Sequence, residues 1–131
     1  MMSKQVQAYQ NNAVNTASGP QLTLMLYNGC IKFIKQGMKA LEEKDYEAKN
    51  INLQKAQDII QELMITLDKD VEISKQILPL YDFIYYQLQQ GNIKNDMSHL
   101  NNALEFVKEF RDTWKEAMKK EAKSYVQGAK V

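Results

Sequence analysis

The sequence predicts an all-α fold, an antiparallel four-helix bundle with a flexible N-terminal segment, on three observations. Only two prolines and five glycines punctuate its 131 residues. Apolar residues recur at helical spacing through successive long segments, with no Val/Ile/Thr alternation at period two. The breaks between segments are polar and too short for crossover connections, so neighbouring helices must run antiparallel.

The first helix begins where Ser18 offers a cap, Pro20 has no N–H to leave unpaired, and Gln21 completes a Ser-x-x-Gln capping box. At about 100° per residue, Leu22, Leu26, Gly29, Phe33, Gly37 and Ala40 share a face flanked by Thr23, Tyr27, Cys30, Ile34 and Leu41. An apolar arc this wide makes the helix, running to about Glu43, the central element of a bundle or a partner-binding element. Asp45 then caps a second helix from about Tyr46 to Leu67, whose stripe is Ala48, Asn52, Ala56, Ile59, Leu63 and Leu67.

Asp68-Lys69-Asp70 is a polar break, and Asp70 is placed to cap a third helix from about Val71 to Gln90. Its stripe is Ile73, Ile77, Leu80, Tyr81, Ile84 and Leu88. Pro79 falls inside it, removing one helical hydrogen bond, so the helix should bend or have a shorter first part, and a kink near Lys75 to Pro79 is the expected form. Gly91-Asn92 reads as a C-terminal stop, and Asn95 or Asp96 as the start of a fourth helix. That helix carries Leu100, Ala103, Leu104, Val107, Phe110, Trp114, Ala117 and Met118 to about Lys120. The expected organisation is a mobile segment 1–17, a bundle 18–122 and a frayed tail 123–131.

Charge and composition narrow the function. With 17 basic and 16 acidic residues the net charge is +1, which gives no general attraction to nucleic acid or an anionic membrane. One cysteine cannot form an internal disulfide, and there is no signal-peptide pattern and no apolar run near the roughly 18 residues of a membrane span. The cytoplasm is the default address.

Chemistry is sparse. His99, the sole histidine, stands among Asn and Ser without metal-site partners and reads as a surface or capping residue. Cys30, beside Ile31, reads as a small buried hydrophobe. The glycines form no phosphate loop; Gly29 and Gly37 look like points of close helix approach. Carboxylates such as Glu42, Glu43, Asp68 and Asp70 sit at helix ends, where capping and solvation account for them. The sequence calls for no catalysis, cofactor or metal. Seven tyrosines and seven methionines remain. Tyr81, Tyr85 and Tyr86 cannot all face one core, and together they permit an adaptable contact surface.

The blocks Ala13 to Ser18, Leu22 to Gly29, Lys49-Asn50, Lys55 to Leu63, Leu80 to Phe83, Asn92 to Asp96 and Phe110 to Trp114 resemble the flagellin-specific export chaperones of the FliS family. The resemblance runs from Tyr9 to about Ala117. It implies a cytosolic chaperone that holds the disordered C-terminal segment of flagellin in apolar grooves, blocks premature polymerisation and assists delivery to the flagellar type III export gate. It also implies that Tyr9 and Val14 belong to a motif that covers a groove and docks on the gate. Ala56, Ile59, Ile60, Leu63, Tyr81 and Tyr85 match helical positions expected to form the client groove. Pro79 and Gly91 depart from the family pattern. The alternative is a helical adaptor that self-associates through the same apolar face; the free protein is expected to be a monomer or a weak homodimer.

Overall fold

The computed structural model describes the backbone of residues 19–129 and the side chains of residues 19–121. The segment 1–17, with Tyr9 and Val14, and the Ser18 cap lie outside the described residues. Four helices follow in order, α1 (Gly19–Glu42), α2 (Tyr46–Thr66), α3 (Ser74–Lys94) and α4 (Met97–Ala129). Contacts join α1 to α2, α2 to α3, α3 to α4 and α4 to α1, with no close backbone approach across either diagonal. With short connections this is an up-down-up-down ring, the antiparallel four-helix bundle.

Leu26, Cys30, Ile34, Leu53, Ala56, Ile60, Tyr81, Ile84, Leu88, Leu100, Ala103 and Val107 form its core, all nearly or fully sealed from water. Each helix turns one stripe inward, as the 3.6-residue repeat requires. α1 is therefore an equal side of the ring rather than its centre. Its arc is wide because it packs against α2 and α4 and also reaches across to α3, where the Tyr27 and Tyr81 hydroxyls lie 2.6 Å apart. Leu22, Phe33 and Leu41 stay only partly covered.

Helix ends follow local chemistry. Asp45 caps α2, its Oδ1 accepting from the Ala48 N–H at 3.1 Å. Asp70 does not cap α3. Asp68 organises that break instead: its Oδ1 accepts from the Asp70 N–H at 3.0 Å, and its carbonyl accepts from the Val71 N–H and the Ser74 hydroxyl. α3 thus starts at Ser74, later than the expected Val71, and continues as one helix through Pro79 to Lys94.

Gly91 is no terminator. α3 runs on to Lys94 and stops at Asn95, which is left-handed at φ 52°, while the Asp96 N–H reaches the Gly91 carbonyl at 3.0 Å. Gly91 is needed inside the helix because Leu100 of α4 lies where a Cβ would point, its Cγ 2.8 Å from that position. Gly37 serves the same purpose toward Leu53, whose Cγ is likewise 2.8 Å away. Asp96 caps α4, accepting from the Ser98 N–H at 2.9 Å. The α4 backbone stays helical to Ala129, beyond Lys120 where the apolar stripe ends.

The pole opposite the start of α1 is fastened by polar groups. Buried Lys49 of α2 donates to the Asn92 carbonyl at 2.8 Å and to the Asn95 side chain. Its ammonium sits on the last carbonyls of α3, where the helix dipole favours a cation. Asn92 Nδ2 donates to Asn50 Oδ1 at 2.9 Å. Two sequence blocks, Lys49-Asn50 and Asn92 to Asp96, meet here as a structural clamp.

Candidate functional site

At the pole where α1 and α3 begin and α2 and α4 end, the four stripes do not close. They leave a cavity of about 500 Å³ whose lining includes Thr23 and Tyr27 of α1, Leu63, Thr66 and Leu67 at the end of α2, Ile73 and Asp68 of the break, Ile77 and Tyr81 of α3, and Phe110, Thr113, Trp114 and Ala117 of α4. The break between α2 and α3 contributes Asp68 and Ile73 to this lining. The Asp68 turn precedes the start of α3 at Ser74, and Ile77 and Tyr81 of α3 face the cavity together with Leu63 and Leu67.

The floor is aromatic. Phe110 stacks on Tyr27 at 6.0 Å between ring centres and tilts against Tyr81 at 5.2 Å. Burial raises the ionisation of both tyrosines above its ordinary value, most strongly for Tyr27, so both hydroxyls are neutral at physiological pH. On the rim, Trp114 Nε1–H donates to the Pro20 carbonyl at 2.9 Å and holds the first turn of α1 against α4. Phe110 and Thr113 also belong to a second hollow of about 190 Å³ on the α3–α4 flank, with Leu80, Phe106 and Glu109. Phe83 packs on Phe106 next to it at 5.0 Å.

Other apolar residues are exposed on α2, α3 and the break between them. Ile65, Ile93, Ile73 and Tyr86 are each at least half exposed, Ile65 by 74%. Among the described residues no group of His, Cys, Asp and Glu could hold a metal ion. His99 Nδ1 pairs with Gln87 Oε1 at 2.6 Å, as an interhelical contact. Cys30 is fully buried, its thiol near the Ala56 carbonyl and pushed up in pKa by burial, the opposite of a reactive cysteine. No described helix is long and apolar enough to cross a membrane.

The residues expected to form a client groove divide. Leu63 and Tyr81 line the cavity together. Ala56, Ile59 and Ile60 are sealed in the core behind it, exposed by 1% or less. Tyr85 is half buried, its hydroxyl accepting from Gln61 Nε2 at 3.2 Å. Sequence reasoning missed Tyr27, Leu67, Ile73, Phe110 and Trp114 as cavity residues. The available signal was apolar residues persisting at stripe ends and into a polar break.

The family model described as "Flagellar protein FliS" matches residues 2–121. The chain belongs to the FliS family. It is 52% identical over 116 residues to the flagellar secretion chaperone FliS of Bacillus subtilis, covering 88% of this chain and 87% of that protein. It is 32% identical to the protein of the same name from Vibrio cholerae, covering 86% and 88%. Among solved structures, a bacterial flagellar chaperone superposes with a TM-score of 0.73 at 20% identity, covering 89% of this chain and 97% of that one, and shares its fold.

Proposed function

We propose that this chain is a cytosolic flagellar secretion chaperone without catalytic activity, whose open pole and adjoining α3–α4 flank hold the disordered C-terminal segment of flagellin. Holding that segment prevents premature polymerisation and delivers flagellin to the flagellar type III export gate. The observation that carries the reading is an apolar cavity of about 500 Å³ left open by four otherwise well-sealed helices, in a FliS-family chain. A disordered client can spread over such a surface, and the entropy lost on ordering offsets much of the contact energy, giving an affinity compatible with release.

In this reading Leu63 and Tyr81 touch the client, Tyr85 borders it, and Ala56, Ile59 and Ile60 fix the spacing of the helices beneath. Tyr9 and Val14 belong to the segment that covers the groove when it is empty and docks on the gate. Mixing the full chain with a peptide of the flagellin C-terminus should give a discrete complex on size exclusion. No complex at roughly tens of micromolar, where a binding energy near 6 to 7 kcal/mol would already register, removes the proposal.

A second reading is self-association as a helical adaptor, favoured by Tyr86 and Ile93, which stand exposed on the outer face of α3. It predicts a dimer that grows with protein concentration and ignores flagellin, which light scattering separates from the first reading.

A further inference from the structure

The floor of the cavity holds an unmatched proton. Tyr27 and Tyr81 are 4% and 3% exposed, and their hydroxyls face each other at 2.6 Å. Two phenols carry two protons, and one O–H···O bond uses only one of them. Whichever tyrosine accepts keeps its own O–H, for which no acceptor exists among the described residues. Both residues that could keep this donor line the cavity. The bond from its neighbour polarises it and makes it a stronger donor than a lone phenol.

The lining sets what this donor accepts. Among the described lining residues there is no basic side chain and Asp68 is the one carboxylate, so an anionic acceptor meets repulsion there and gains no counter-charge. Thr23, Thr66, Thr113 and Asp68 of the same lining supply acceptor oxygens. A carboxamide accepts with its oxygen and donates with its nitrogen, which matches the spare phenol donor and the acceptor oxygens of the same lining. A main-chain carbonyl accepts as well but carries no donor of its own for those oxygens.

Resting on the chaperone reading above, we infer that the Tyr27–Tyr81 pair selects a client segment that places an Asn or Gln side chain among its apolar anchors, the amide oxygen accepting from the pair. The cavity is then a specificity pocket for one polar position, and not only a greasy trough.

The test is a double-mutant cycle by calorimetry, using the full chain and a flagellin C-terminal peptide, with thermal melts confirming that each variant is folded. Tyr27→Phe and Tyr81→Phe each leave one hydroxyl able to donate, so each should weaken binding by roughly twofold, while the double variant should lose roughly tenfold, more than the product of the two. In parallel, each Asn and Gln of the peptide is changed to Leu. One change should cost the wild-type protein roughly tenfold and the double variant almost nothing. A double variant that binds as tightly as wild type overturns the inference, as does a loss that persists whichever amide is removed. If wild type binds no peptide at all, it is the chaperone reading that fails.

Discussion

Gln57 shows how much a single buried atom matters in a core this small. Its side chain is 5% exposed, and its Oε1 has no hydrogen-bond partner among the described residues. An orphaned buried acceptor carries a desolvation penalty that an apolar side chain of the same length does not. Gln57→Met should therefore raise stability by about 1 kcal/mol, read as an increase in the midpoint of urea unfolding. The buried acids give a pH dependence whose sign is fixed. Burial raises Cys30, Tyr27 and Tyr81 above their unfolded values, so as pH climbs past about 8.5 for the thiol and 10 for the phenols, the unfolded chain releases protons that the native state keeps. Stability then falls with pH. Lys49 works the other way, because desolvation lowers its pKa and the native state gives up its proton first, but its two hydrogen bonds favour the charged form and limit that shift. The net expectation is a loss of stability that begins near pH 9 and begins later in Cys30→Ala, checked by urea midpoints across the alkaline range.

Among the helices, the apolar stripes and most boundaries were legible in the sequence because they follow from periodicity and from caps such as Asp45. Ends decided by tertiary contact were not. Gly91 carries the local signature of a stop, yet its lack of a Cβ answers to Leu100 on the next helix, and the stop falls on Asn95. Gly91→Ala should cost about 1 to 3 kcal/mol through overpacking, although alanine is the better helix former by about 1 kcal/mol. Trimming the obstacle tests the cause: Gly91→Ala with Leu100→Ala should be less destabilised than the sum of the two single changes, in thermal or urea melts. The same limit hid most of the cavity. Periodicity says which face of a helix is apolar, so Leu63 and Tyr81 could be picked out. It does not say where along the bundle neighbouring stripes stop covering one another.

Taken as a whole molecule, the four helices leave apolar surface that they do not hide from water. Trp114 is the only tryptophan in the chain and stands on the rim of the cavity, its indole N–H bound to the Pro20 carbonyl. A client entering the cavity excludes water from the exposed part of that ring, so the flagellin peptide should shift Trp114 emission to the blue with the same isotherm that calorimetry gives. Salt should hardly change that isotherm: among the described residues the lining carries Asp68 as its single carboxylate and no basic group, and a Debye length of about 10 Å at 0.1 M already screens charges farther off. An affinity that falls steeply between low and high salt would mean that surface charges hold the client, and the cavity would lose its role. A blue shift that grows with protein concentration in the absence of peptide would mean that a second copy covers the same surface. Binding without any shift would move the client to the outer faces of α2 and α3, where Ile65, Tyr86 and Ile93 remain exposed.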